Sequence, residues 1–129
     1  MPADLTSAIG ANLPYLRRYA RALTGSQTSG DRFAAATLET LLVDMSVMQT
    51  HPDAKVVLFH VFHSVWASAG APVGEADSSL GERAQRHMAG LTPHSREALL
   101  LSVIEGFTHD DIAVILQVDA SEAAALIAI

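Results

Sequence analysis

Apolar residues return every three or four positions along this chain and nowhere alternate, so the pattern predicts helices and no strand. Leu13, Leu16, Ala20 and Leu23 make one stripe, with Arg17, Arg18 and Arg21 turned outward. Asn12 is the expected cap of that helix, Pro14 falls in its first turn, where a missing N–H costs nothing, and Gly25 ends it. Asp31 is the expected cap of a second helix whose buried face is Phe33, Leu38, Leu41, Leu42 and Met45. Pro52 opens a third, which runs to about Ala69.

The stretch GAPVGEADSSLGE breaks the pattern with Gly, Ser, Pro and acid, as a linker does. It divides the chain into a first lobe at 1–69, a linker at 70–78 and a second lobe at 79–129. In the second lobe a helix is expected from about Ser79 to Met88. Thr92 then caps another, with Pro93 at its first position and Leu99, Leu100, Val103 and Ile104 facing in. Gly106 breaks it. Thr108 and Asp111 form a capping box for a short helix, and Asp119 or Ser121 caps the last. The expected fold class is all-α.

The third helix is too apolar for a single buried face. At 100° per residue, Val57, Leu58, Phe59, Val61, Phe62, Val65 and Trp66 sweep about 200°, against roughly 100° for a simple core stripe. Two arrangements satisfy this. Either neighbouring helices cover both edges, or the edge with Phe59, Phe62 and Trp66 is left for an amphipathic partner helix or a further domain.

Charge sharpens the division. Of the net −6, residues 1–66 contribute nothing, with five basic and five acidic side chains, and residues 67–96 carry three of each. The whole excess is Glu97, Glu105, Asp110, Asp111, Asp119 and Glu122. The chain has no cysteine, which excludes disulfides and thiolate metal sites and fits a reducing cytoplasm. Its first residues lack the pattern of a secretion signal, and His60, His63 and Ser64 interrupt its most apolar run, so no membrane span is expected. Half of the residues are hydrophobic, which leaves apolar surface for a partner.

Residues 107–129, FTHDDIAVILQVDASEAAALIAI, scan as a helix-turn-helix, yet no Lys or Arg follows Arg96. Affinity for duplex DNA comes largely from cations that neutralise phosphates, and base reading favours Arg, Lys, Asn and Gln. The would-be recognition helix offers Ser121, Glu122, Ala123, Ala124, Ala125 and Leu126. Its charge is the opposite of a nucleic-acid footprint.

The stretch LPYLRRYARALTGSQTSGD resembles the start of region 2 of extracytoplasmic-function sigma factors, and LTPHSREALLLSVIEGFTHDDIAVILQVDASEA resembles their region 4. The ordered set ALTGS, TLETL, ALLL, EGFT and QVD is more closely similar to the sigma-like output domain of PhyR-type response regulators of the alphaproteobacterial general stress response. The resemblance implies two lobes like sigma regions 2 and 4, and an isolated domain of a longer protein that carries a receiver. It also implies a function: mimicry of a sigma factor, so that a NepR-like anti-sigma factor is captured and the true sigma factor is freed. Phosphorylation of the attached receiver gates that capture. The chemistry is surface complementarity, without enzymatic activity, cofactor or DNA.

A partner helix wedged between the lobes would meet Tyr19, Phe59, Phe62 and Trp66 on one side, and Ile112, Ile115 and Leu126 on the other. One rival is a genuine sigma factor that binds promoter DNA and polymerase. It lacks the cations it needs in the last helix, and Asp31 is followed by Arg32, Phe33 and Ala34 where the sigma factors carry an Asp-Leu-Val-Gln-like stretch. The other rival is a stand-alone helical interaction domain.

The remaining constellations have plain explanations. His60 and His63 share a helix face, as metal ligands would, but no carboxylate or third His completes a set, so a solvated or partner-facing polar strip is expected. Asp110 and Asp111 suit a helix start better than a catalytic pair. Arg17, Arg18 and Arg21 serve either an acidic partner helix or a solvated face.

Overall fold

Pairing of helical stripes yields six α-helices and one 3-10 helix among the described residues, with no strand. The computed structural model describes residues 2–72 and 91–127, with side chains from residue 6 onward. The helix expected near Ser79–Met88, and the linker from residue 73, lie outside the described residues.

Helix α1 spans Pro2–Thr24, far longer than expected. Pro14 sits inside it, and Asn12 is no cap: its amide Nδ2 donates to the Ala8 carbonyl at 2.9 Å. The proline removes one rung of the helix ladder and the helix continues through it, because Leu16, Tyr19, Ala20 and Leu23 beyond it are firmly buried. Gly25, at a φ of +72°, stops the helix in the left-handed region that side chains avoid.

Helix α2 spans Gln27–Val43 and is capped by Ser26, whose side chain accepts from the Ser29 N–H. Asp31 therefore lies within α2, where it binds Arg21 of α1 through two hydrogen bonds of 2.8 and 3.0 Å. One residue earlier, Gly30 lets the two backbones touch. A Cβ there would stand 2.6 Å from the Arg21 nitrogen, closer than any side chain can sit. The buried face of α2 is Gly30, Ala34, Thr37 and Leu41, and Leu42 is 77% exposed.

A short 3-10 helix, Met45–Gln49, leads to α3 at Ala54–Ser68, which is capped by Asp53 rather than opened by Pro52. The second lobe holds α4 (Pro93–Val103), α5 (His109–Leu116) and α6 (Ala120–Ile127). Thr92 and Thr108 cap the first two as expected, and Asp119 caps the third by accepting from the Glu122 N–H at 2.8 Å. In α4 the inward residues are Ala98, Leu100 and Leu101, while Val103 faces water.

One hydrophobic core runs through both lobes. Leu16, Tyr19 and Leu23 from α1, seven residues of α3, Leu101 of α4, Ile112 and Ile115 of α5, and Ala123 of α6 belong to a single cluster.

Candidate partner interface

The seam between the lobes is where the expected partner residues gather. α3 is its pillar, flanked by α1, α2 and α5. Tyr19 of α1 packs on Phe59 and Phe62 with ring centroids 5.2 and 5.6 Å apart. From the second lobe, Phe107 meets Phe59 edge-on at 5.2 Å, within the range where such pairs add to simple burial.

The apolar arc of α3 is thus covered on both edges. Tyr19, Phe59, Phe62, Trp66, Ile112 and Ile115 are each at most 1% exposed, and Leu126 is half-buried against the same core. The expectation of a spare edge at Phe59, Phe62 and Trp66 gives way to the covered arrangement, because α1 closes one flank and the second lobe the other. Trp66 also donates its indole N–H to the Pro72 carbonyl at 2.9 Å, which fixes the chain as it leaves α3. Exposed apolar side chains lie elsewhere: singly at Tyr15, Val103 and Val114, and together at Leu42 and Val43 at the end of α2, beside a hollow lined by Thr6, Ile9, Leu38, Leu41 and Met45.

Polar contacts tie the seam as well. The Glu105 side chain is fully buried and is gripped from the first lobe by Arg18 at 3.0 Å and Lys55 at 3.1 Å. Lys55 lies over the rings of Tyr15, Phe107 and Phe59, at 4.6, 5.0 and 5.7 Å. Arg96 Nε donates to the Leu23 carbonyl at 2.7 Å, and His60 Nδ1 donates to the Ile115 carbonyl at 2.9 Å. The three arginines of α1 are therefore not one free basic face. Arg17 and Arg21 reach Asp31, and Arg18 reaches Glu105.

His63 and Glu97 form the deepest polar contact. Both Glu97 oxygens lie near Nδ1 of His63, at 2.9 and 2.8 Å, and Glu97 is fully buried. Burial pushes the Glu97 carboxyl up from its ordinary pKa, and the hydrogen bond from His63 works against that rise. Tyr19 adds a buried hydroxyl with no partner at hydrogen-bonding geometry. Burial, and then the nearby charges of Glu97 and Glu105, hold it un-ionised. His63 thus pairs with α4 and not with His60, and the carboxylate absent from its sequence neighbourhood arrives from 34 residues away.

The acidic excess of the second lobe is thinner at the surface than its composition implies, since Glu97 and Glu105 are turned inward. What α5 and α6 present outward is Asp110, Asp119 and Glu122, with Asp111 half-buried. α6 buries Ala123 alone, and no cation stands on either helix. No helix among the described residues is long and apolar enough to cross a membrane.

Six α-helices among the described residues, with a helix-turn-helix that carries no Lys or Arg, have the make-up of a regulatory sigma-like domain. Residues 9–63 match the family described as the Sigma2 domain of PhyR, and residues 88–129 match the sigma-like domain of the response regulator PhyR. The chain belongs to the PhyR sigma-like domain family.

Among its relatives, the phyllosphere-induced regulator PhyR of Methylorubrum extorquens is 46% identical over 112 residues, 86% of this chain. The chain spans 42% of the length of that curated relative. The PhyRSL–NepR complex from Sphingomonas sp. Fr1 superposes with a TM-score of 0.81 at 39% identity, over 96% of this chain and 82% of that one. The sigma factor RpoE of Bartonella quintana, solved in complex with the anti-sigma factor NepR, shares the fold with a TM-score of 0.79. It is 17% identical over 97% of this chain and 90% of its own.

Proposed function

We propose that this chain is an anti-anti-sigma module: it presents the outline of a sigma factor to a NepR-type anti-sigma factor and so releases the sigma factor that the latter holds. The observation that carries this reading is a helix-turn-helix on a sigma-like fold with no Lys or Arg from Glu97 to Ile129. Four of the five cations of the first lobe are diverted in the same sense, Arg32 being the exception. Arg17, Arg18, Arg21 and Lys55 answer internal carboxylates instead of standing ready for phosphates. Such a surface keeps the shape that an anti-sigma factor grips and discards what DNA needs. The alternative of a working sigma factor requires the missing cations.

The likeness to PhyR proteins supports the rest of the assignment. A receiver domain in the full-length protein gates the capture through its phosphorylation, and the module works by competition in the cytoplasm, without catalysis. Tyr19, Phe59, Phe62, Trp66, Ile112, Ile115 and Leu126 remain the proposed partner-binding set. Because six of these seven are buried at the seam, a partner helix reaches them only by parting the lobes at 1–69 and 79–129. The exposed pair Leu42 and Val43 is then a first contact that needs no opening.

Calorimetric titration of a NepR-type anti-sigma factor into the protein tests this. Saturable binding with one partner per chain is expected, with a negative heat-capacity change as apolar surface is buried. No saturable binding at micromolar concentrations overturns the assignment.

A further inference from the structure

We propose that His63, His94 and Glu97 form a binding site for one divalent transition-metal ion of the zinc class, placed across the seam between α3 and α4. Each residue offers one ligand atom, and the three atoms lie within 4.8 Å of one another. Two imidazoles and a carboxylate are a donor set that zinc accepts, with a fourth position left for water.

The geometry needs only a small adjustment. Zinc bonds of about 2.0–2.2 Å at tetrahedral angles place ligand atoms about 3.3 Å apart. The His63–Glu97 contact, at 2.8 to 2.9 Å, opens slightly, and the His94 ring closes in from a centroid separation of 5.8 Å. His94 is exposed, so its ring turns at little cost and marks the side from which an ion enters. His63 and Glu97 are buried, so the rest of the site is held by packing.

Two features of the seam become purposeful with an ion in place. Glu97 is a fully buried carboxylate set against the His63 imidazole, and a divalent ion answers its charge directly. The Tyr19 hydroxyl is buried without a hydrogen-bond partner. Once the ion takes one oxygen of Glu97, the other is free to accept from Tyr19, the kind of support that ligating carboxylates receive from surrounding groups. His63 and the α4 ligands come from different lobes, so the ion fastens the packed arrangement. Metal binding itself does not depend on what the domain captures.

The test is titration with zinc, and with cobalt as a spectroscopic probe, on the protein and on His94→Ala, Glu97→Gln and His60→Ala. One ion per chain is expected, with a visible cobalt band of low symmetry and a rise in melting temperature. His94→Ala removes an exposed ligand without disturbing the core and should weaken binding by about 10-fold or more, as loss of even a supporting group does. Glu97→Gln should do the same, and His60→Ala should leave binding unchanged. The proposal is overturned by the absence of saturable binding at micromolar zinc, by undiminished binding in His94→Ala, or by equal loss in His60→Ala, which would put the ion on other histidines.

Discussion

Helix α3 and helix α6 are both strongly apolar, yet they do opposite things. α3 buries Val56, Val57, Leu58, Phe59, Val61, Phe62, His63 and Trp66, and almost every side of it is covered. α6 buries only Ala123 and shows Ser121, Glu122 and Ala125 to water. In a DNA-binding helix-turn-helix, the second helix is the one that touches bases. Here that position is the most lightly anchored of the helices, and the energetic weight of the molecule lies at its centre. A sigma-like outline is thus preserved by packing inside α3, while the surface that would read DNA is free to lose its chemistry. Truncation should therefore be severe in α3 and nearly silent on the face of α6.

The largest expected effect is at Trp66. Trp66→Ala removes a ring that is 1% exposed and frees the Pro72 carbonyl, and it should cost about 3–5 kcal/mol of folding free energy. On α6, Glu122→Gln should change stability by no more than about 0.5 kcal/mol. Chemical denaturation of the two variants side by side measures the contrast. A mild Trp66→Ala would mean that α3 is not the pillar.

Gly30→Ala comes next. The added methyl meets backbone of α1 at 2.6 to 2.8 Å, so the helices must move apart, at an expected cost of about 1–3 kcal/mol. The same change at Gly10, where a Cβ meets nothing within 4 Å, should be neutral or slightly stabilising in mid-helix. Melting curves of both variants decide whether close approach or helix propensity governs α1.

The smallest effect is electrostatic. Arg21, first through its hydrogen bond and then through its charge, holds the Asp31 carboxyl below its ordinary pKa. A carboxyl lowered by folding contributes stability above its unfolded pKa, and that contribution fades as pH falls through the lower folded value. The melting-temperature gap between the protein and Asp31→Asn should therefore be present at neutral pH and close in acid. A gap that persists at the lowest pH where both remain folded would assign it to packing.

Much of this contrast was legible in the sequence, and the part that was not has a physical cause. Helicity and the caps at Thr92 and Thr108 followed from local spacing, because capping acts over three residues. Asn12 and Asp31 look like caps for the same local reason, since both are good cap residues, but tertiary burial carries α1 through Pro14 and Ser26 takes the start of α2. The arc of α3 showed more apolar surface than one buried face needs, but not whether the chain itself covers it. The residues that cover it are distant in the chain, as with Arg18 and Glu105, 87 positions apart, and His63 and Glu97. A partner-facing edge and a doubly covered core helix have the same periodicity. Only the fold separates them.

The central claim is that a sigma-like fold has been kept while its nucleic-acid chemistry has been lost, and fluorescence anisotropy with a labelled promoter-length duplex tests it most directly. Even non-specific DNA-binding proteins reach dissociation constants of about 10⁻⁴ to 10⁻⁶ M, and their binding weakens steeply with salt. At about 50 mM salt the protein should leave the anisotropy unchanged up to tens of micromolar, as a helix-turn-helix with no Lys or Arg after Arg96 requires. Micromolar binding that disappears as salt is raised would contradict the account.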